Sequence, residues 1–499
     1  MLPDPKDAIP ENTWAFETEP LVKPTGFREY DARWKFGSEI NLYGIQALGL
    51  GLGTLIREHD VEPKCVVGHD YRSYSLSIKQ ALMVGLMDAG IVVHDIGLCL
   101  SPTAYFAQFA LNIPAVAMVT ASHNANGWTG VKMGVEAPLT FGPDEMRRLK
   151  SIVLENRGVS RGGGGYVREM GLAEKHIADV AGDIKLSRKL KAVVACGNGT
   201  AGAFAPKVLE AIGAEVVELH CALDHSFPNY NPNPEDMGML HDLAAKVKEA
   251  GADVGLAFDG DGDRCGVVDN TGEEIFADKV GVMLSRDLSR QYPDSVFVAD
   301  VKSTGLFRTD PVLKENGAKT DYWKTGHSYI KRRVKELGAL AGFEKSGHYF
   351  FNAPIGRGYD DGLVSAVAVM RMLDRNPDKT LADLREALQP AYTSPTMSPH
   401  CPDEVKYDVI QRIVEEYEQA AENGDRILGR DISEVVTVNG VRFILSDGAW
   451  GLVRASSNTP NLVVVVESPK SRDDMVAIFK DIEARLAKHP EIGEFDQKV

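Results

Sequence analysis

The chain has 499 residues, 44% of them hydrophobic and 25% charged, which excludes a fibrous, disordered or disulfide-scaffold polypeptide. That length exceeds what one core of ~100–150 residues organises, so three or four domains are expected. With 71 acidic against 55 basic residues the net charge is −16, which repels nucleic acid and anionic lipid; an anionic substrate would need a local cluster of Arg, Lys and His.

The first residues, MLPDPKDAIPENTW, lack the basic head and apolar stretch of a secretory signal. No apolar run reaches the ~18–20 residues that span a bilayer. A cytoplasmic protein with no membrane or nucleic-acid partner is the expectation. The six cysteines (Cys65, Cys99, Cys196, Cys221, Cys265, Cys401) are scattered singly and read as reduced, buried apolar residues.

Along the chain, KCVVGHD is followed by SYSLSIKQALMVGLMDAG, KAVVACGNG by AFAPKVLEAIGA, and DVGLAFDGDGD by a further VV run. Alternating strand and helix at this spacing predicts an α/β protein with mostly parallel sheets. Breaks fall at the glycine-rich RGVSRGGGGY (157–166), at DNTGEE (269–274) and at the proline-rich QPAYTSPTMSPHCPDE (389–404), whose TSPTMSP portion reads as a hinge. Beyond about Ser394, helical DEVKYDVIQRIVEEYEQA precedes strands VRFILSD, WGLVRAS and LVVVVES, predicting a smaller α+β domain.

Two segments carry chemistry. TASHNANGWTGVK follows the apolar strand PAVAMVT and sets Ser122, His123, Asn124 and Lys132 in one glycine-containing loop. Alone, that serine reads as a turn former. In AFDGDGDR, Asp259, Asp261 and Asp263 alternate with glycines directly after a strand, with Arg264 adjacent. Three carboxylates so close repel unless a cation sits between them, and magnesium with its preference for oxygen fits. An EF-hand does not, because Arg264 and Asn270 stand at its sixth and twelfth positions. Taken together, the segments make Ser122 a phosphoryl carrier that also contributes a metal ligand, and Lys132 a proton shuttle whose pKa crowding by other cations would lower.

CGNGTAG (196–202) is a GxGxxG between strand and helix, with Glu215 and Glu218 near where a ribose-binding acid falls. An NAD-type oxidoreductase is therefore a competing class, although no second cofactor motif accompanies it. A phosphosugar-binding protein without catalysis is a third. GxxxxGK[ST] is absent, which favours a phosphosugar over ATP as the phosphate source.

In their order, TASHN, DGDGDR, FEKSGH (343–348) and RASSNTP (454–460) resemble the motifs of the α-D-phosphohexomutases over nearly the whole chain. FREYD (27–31), DVKST (300–304), KTGHSYIK (324–331) and DDG (360–362) are similar to its phosphomannomutase/phosphoglucomutase branch. Ala125 stands where that family usually has proline. The resemblance implies three similar mixed-sheet αβ domains and a C-terminal α+β domain around a central cleft. These are a phosphoserine domain (1–167), a metal domain (168–273), a sugar-recognition domain (274–390) and a phosphate-binding domain (391–499). It implies Mg²⁺ on Asp259, Asp261, Asp263 and phosphorylated Ser122, and a hexose 1,6-bisphosphate as activator and intermediate. It further implies proton transfer assisted by Lys132, Arg28, His123 and His327. Substrate contacts would come from Arg264, Lys302, Glu344, Ser346, His348, Arg454, Ser456, Ser457 and Asn458. The implied reaction interconverts the 1- and 6-phosphates of mannose or glucose by a monomer or homodimer, with a phosphoglucosamine mutase as the alternative within the family.

Overall fold

The computed structural model describes residues 2–456 and 459–499. They form two compact units: Met1–Ile275 with Ser346–Ala382, and Phe276–Lys345 with Asp383–Val499.

The first unit holds two mixed sheets. One runs, in spatial order, Ala32–Lys35, Trp128–Gly134, Ala115–Val119, Lys64–His69, Val92–Leu98, Gly165–Arg168. Its last four strands are parallel, and the first two pair antiparallel. The central strands Lys64–His69 and Ala115–Val119 carry continuous buried runs, CVVG and AVAMV, as a parallel sheet covered by helices on both faces requires. The second sheet runs Glu274–Ile275, Cys265–Asp269, Val254–Phe258, Lys191–Ala195, Glu215–Leu219. There Val254–Phe258 turns directly back into Cys265–Asp269, so the aspartate-rich segment is the tip of an antiparallel hairpin. Helix Gly362–Asp374 also belongs to this unit; Asp361 caps it by accepting from the N–H groups of Leu363 and Val364.

In the second unit, Val296–Asp300 lies between Lys319–Trp323 and Ala341–Phe343, all parallel. The C-terminal sheet is antiparallel throughout, in the order Tyr392–Thr393, Leu462–Ser468, Trp450–Ala455, Val441–Leu445, Arg430–Val436, Arg426–Ile427. Helices Lys406–Glu422 and Arg472–Leu486 share its apolar core. The proline-rich TSPTMSP segment is not a free hinge here. Its N–H groups at Ser394 and Met397 donate to Val466 O (2.9 Å) and Val464 O (3.0 Å), so it is zipped along the sheet with Met397 buried. All six cysteines are buried and unpaired. No described helix is long and apolar enough to cross a membrane.

A buried cation ties the C-terminal sheet to the preceding αβ layer. The Arg442 guanidinium lies between the rings of Trp450 (3.8 Å) and Tyr322 (3.9 Å) and donates to Val301 O (2.8 Å) and Ser303 O (2.7 Å). Close by, Glu467 Oε1 accepts from Thr304 Oγ1, Gly305 N–H and Trp450 Nε1, and Oε2 from Thr393 Oγ1. A planar cation stacked against two rings is what lysine cannot reproduce. Arg442→Lys is expected to destabilise the protein by roughly 2–3 kcal/mol, read as a lowered urea midpoint; an unchanged midpoint would dismiss the stacked arginine as a tie.

Candidate active site

Ser122 sits in the turn between strands Ala115–Val119 and Trp128–Gly134, whose register sets Met118 opposite Lys132. It is buried and has φ +51°, a left-handed conformation uncommon for a residue with a Cβ. A polar scaffold holds it there. Asp70, just after strand Lys64–His69 and fully buried, accepts from Ser75 Oγ at Oδ1 (2.6 Å) and from Thr120 Oγ1 at Oδ2 (2.8 Å). Thr120 Oγ1 in turn accepts from the Ser122 N–H (2.8 Å). Arg72 pairs with Asp70, and its Nη2 donates to the carbonyls of Ser122 (2.9 Å) and Asn124 (2.8 Å). Arg33 Nη1 donates to Ala121 O (2.9 Å) and Asn124 Oδ1 (2.6 Å).

Arg33, Asp70 and Arg72 escaped the sequence reading. The signal was present in HDYRSYS, a carboxylate and a guanidinium directly after a buried strand, where α/β sheets place their ligand loops. Arg28 has only a backbone tie, its N–H to Asp31 O (2.9 Å), and makes no hydrogen bond to the serine loop among the described residues.

The hairpin tip brings the three aspartates against this loop. All three are fully buried, and one ligand atom from each lies within 4.8 Å of the others. Ser122 Oγ donates to Asp259 Oδ2 (3.1 Å). The glycines serve close approach: a Cβ at Gly260 would lie 2.5 Å from Ser122 O, and Gly262 adopts φ +73°. Lys132 Nζ lies 2.7 Å from Asp261 Oδ2 and also contacts Asp263 Oδ2. The remaining Oδ1 atoms of Asp261 and Asp263 are buried and take no hydrogen bond among the described residues, His348 Nδ1 lying 3.7 Å from that of Asp263. Orphaned hard oxygens in a buried trio fit a divalent cation that takes oxygen ligands.

The charges are strongly coupled. Burial, then Asp261 and Asp263, push Asp259 well above the usual carboxylate range. Burial opposes ionisation of Asp261 too, but Lys132 and the Ser101 hydroxyl outweigh it and hold that carboxyl well below. Lys132 is desolvated, yet Asp261 and Asp263 raise its amine well above the ordinary value. The expected lowering by neighbouring cations is thus reversed, because the register of the returning strand points this lysine at carboxylates. His123 Nδ1 is 3.4 Å from Ser122 Oγ, and Arg264, burial and Arg33 hold its ring well below the usual histidine range. Arg264 Nε donates to His348 Nε2 (3.0 Å), which leaves the His348 proton on Nδ1, 3.0 Å from Asp360 Oδ2. Ser346, also in this unit, is half-buried.

In the second unit, the loops after three adjacent parallel strands carry further predicted residues. Lys302 follows Asp300, at 4.0 Å from its carboxylate; His327 opens helix His327–Leu337; and Glu344 follows Phe343, accepting from the Gly326 N–H. Arg454 lies near the end of the buried strand Trp450–Ala455, and Ser456 Oγ accepts from Thr459 Oγ1 (2.9 Å). Ser457 and Asn458 lie outside the described residues.

The CGNGTAG loop is packed shut. A Cβ at Gly202 would lie 1.9 Å from Cys221 O, and the Asn198 N–H donates to His220 O (2.7 Å). Thr200 Oγ1 accepts from the Tyr71 N–H (2.9 Å). Its glycines serve close packing beside the aspartate hairpin, which accounts for the fingerprint without a dinucleotide.

Four family profiles match the chain in order. They are described as phosphoglucomutase/phosphomannomutase alpha/beta/alpha domain I (residues 24–159), domain II (172–272), domain III (276–392) and C-terminal domain (401–485). A phosphomannomutase/phosphoglucomutase of Pseudomonas syringae pv. tomato is 36% identical over 449 residues, 90% of this chain and 92% of that protein. A phosphoglucomutase of Neisseria gonorrhoeae is 32% identical, covering 89% and 92% respectively. The crystal structure of a phosphoglucomutase/phosphomannomutase family protein from Burkholderia thailandensis matches with a TM-score of 0.84 at 30% identity, over 96% of this chain and 100% of that one.

The trio makes stability depend on pH in a defined direction. Asp259, raised, contributes stability that is complete below the ordinary carboxylate pKa and is lost as pH climbs through its own higher value. Asp261, lowered, and Lys132, raised, both stay charged from about pH 5 to about pH 7.5, so their contributions are constant there. With a chelator present the melting temperature should fall across that window, and a divalent cation should restore more at the upper end than at the lower. Equal restoration at both ends would contradict the assignment of Asp259.

Proposed function

The chain belongs to the phosphoglucomutase/phosphomannomutase family, and we propose that it interconverts the 1- and 6-phosphates of mannose, glucose or both through phosphorylated Ser122 and a bisphosphorylated sugar. It is a hexose phosphate mutase, an isomerase of carbohydrate metabolism that transfers phosphate intramolecularly. The observation that carries the detailed reading is the Ser122 hydroxyl bonded to Asp259 inside a buried carboxylate trio.

In this reading Asp259, Asp261 and Asp263 hold Mg²⁺, which when bound neutralises charge on the transferring phosphate. Arg33 and Arg72 hold the loop so that the Ser122 oxygen needs little reorganisation to give or receive phosphate. Lys132 carries a proton at Nζ, and His123 offers an unprotonated ring nitrogen beside Ser122 Oγ. One group can therefore supply the proton an oxygen leaving group requires, while the other accepts the proton of an attacking hydroxyl. Arg28 and His327 are assigned to assist these transfers. Arg264, Lys302, Glu344, Ser346 and His348 are assigned to the sugar and its oxygens, and Arg454, Ser456, Ser457 and Asn458 to the phosphate that is not reacting. A carboxylate accepts from neighbouring hydroxyls while arginine forks onto phosphate. The four segments 1–167, 168–273, 274–390 and 391–499 would divide this labour.

Mutase assays on glucose 1-phosphate, mannose 1-phosphate and glucosamine 1-phosphate, with Mg²⁺ and hexose 1,6-bisphosphate, test the reading. Comparable rates on the two hexoses are expected, with Ser122→Ala losing at least about a thousandfold. Turnover confined to the amino sugar would reassign the substrate, and full activity in Ser122→Ala would remove the phosphoserine.

A further inference from the structure

Asp261 is held by a residue that neither sequence motif contains. Ser101, fully buried at the first position of helix Ser101–Leu111, donates from Oγ to Asp261 Oδ2 (2.6 Å) and from its N–H to Asp261 O (3.0 Å). Side chain and backbone of one aspartate are thus fastened by the same residue, 160 positions away in sequence. The approach is tight: a Cβ at Gly262 would lie 2.8 Å from Leu100 Cδ2. Asp261 Oδ2 also receives Lys132 Nζ at 2.7 Å, whereas Oδ1 is buried with no hydrogen-bond partner among the described residues.

The terminal torsion of an aspartate is broad and roughly two-fold, so an unrestrained carboxylate presents either oxygen. With Oδ2 occupied on one side and the main chain pinned on the other, only Oδ1 remains to face a cation. We infer that Ser101 is a positioning residue for the metal site: it selects Asp261 Oδ1 as the ligating oxygen and fixes the aspartate hairpin to the segment that carries Ser122. Partners of this kind, one bond behind a ligand, set its orientation and basicity. The proposal rests on the reading of the aspartate trio as a metal site.

The test is calorimetric titration of Mn²⁺ into the unphosphorylated full-length protein and its Ser101→Ala, Ser101→Thr and Thr103→Val variants. Ser101→Ala is expected to weaken Mn²⁺ binding about tenfold or more, and Ser101→Thr, which keeps the hydroxyl, to restore most of it. On the same helix as Ser101, Thr103 Oγ1 meets His176 Nδ1 (3.0 Å) of helix Leu172–Ala181. Thr103→Val therefore perturbs the packing without touching Asp261, and its Mn²⁺ affinity should stay at the parental value even where its melting temperature drops. In Ser101→Ala the Mg²⁺ concentration for half-maximal mutase activity should rise by the same factor, with the sugar KM at saturating Mg²⁺ unchanged. Parental Mn²⁺ affinity in Ser101→Ala, or an equal loss in Thr103→Val, would overturn the positioning role while leaving the metal site intact. Failure of the parental protein itself to bind Mn²⁺ would remove the metal reading and this proposal with it.

Discussion

Three carboxylates buried within five residues impose the constraint around which the first unit is organised. Two unit charges ~4–5 Å apart in a partly screened interior repel by roughly 4 kcal/mol, and no hairpin would keep three of them without compensation. Lys132 reaches in from a neighbouring strand, Ser101 from a helix start, and Ser122 from a turn. Each contributes a hydrogen or a positive charge to the same small volume. The cost of collecting negative charge thus becomes the means of assembling groups from distant parts of the chain.

The same logic explains the rigidity around Ser122. A serine in a left-handed conformation at a strand exit is not stable by local preference. Asp70 and Thr120 fix the turn from beneath, while Arg33 and Arg72 grip its carbonyls. The carbonyls drawn to the guanidinium groups leave the hydroxyl pointing to the carboxylates. Positive charge therefore surrounds the loop's backbone and negative charge faces its hydroxyl, an arrangement that would need the proposed cation between the carboxylates before that oxygen could carry phosphate.

The aspartate trio was legible because its members are sequence neighbours whose alternation with glycine has few other purposes. The α/β class and the distinct C-terminal domain were legible from strand and helix alternation, which suggested mostly parallel sheets; the antiparallel strands that make them mixed came only with the family's motifs. Ser101 was not, since its partner lies 160 positions away and nothing in SPT announces it; Asp70 and Arg72 showed only as a charged pair after a buried strand, because the Thr120 and Ser122 groups they hold lie 50 positions on. The charge state of Lys132 was misjudged for a related reason. Composition gives no register, and it is the pairing of Met118 with Lys132 that turns the amine toward carboxylates. The proline-rich TSPTMSP segment misled in the opposite way, because prolines alternating with free N–H groups still leave enough donors to line a sheet edge.

The division into two units, with Ser346–Ala382 returning to the first, bears on how the chain is made. During synthesis from the N-terminus, the first 275 residues emerge before the helix Gly362–Asp374 that completes their layer. Meanwhile the stretch Phe276–Lys345 is born ahead of the C-terminal sheet whose Arg442 and Glu467 meet it. Closing such long intervening segments costs little more than closing shorter ones, since loop entropy grows only logarithmically. Timing is the larger matter: at ~5–20 residues per second, the first unit waits for Ser346–Ala382 and the stretch Phe276–Lys345 waits for Asp383–Val499. The nascent chain must therefore carry partly uncovered sheets for seconds before the segments that cover them arrive.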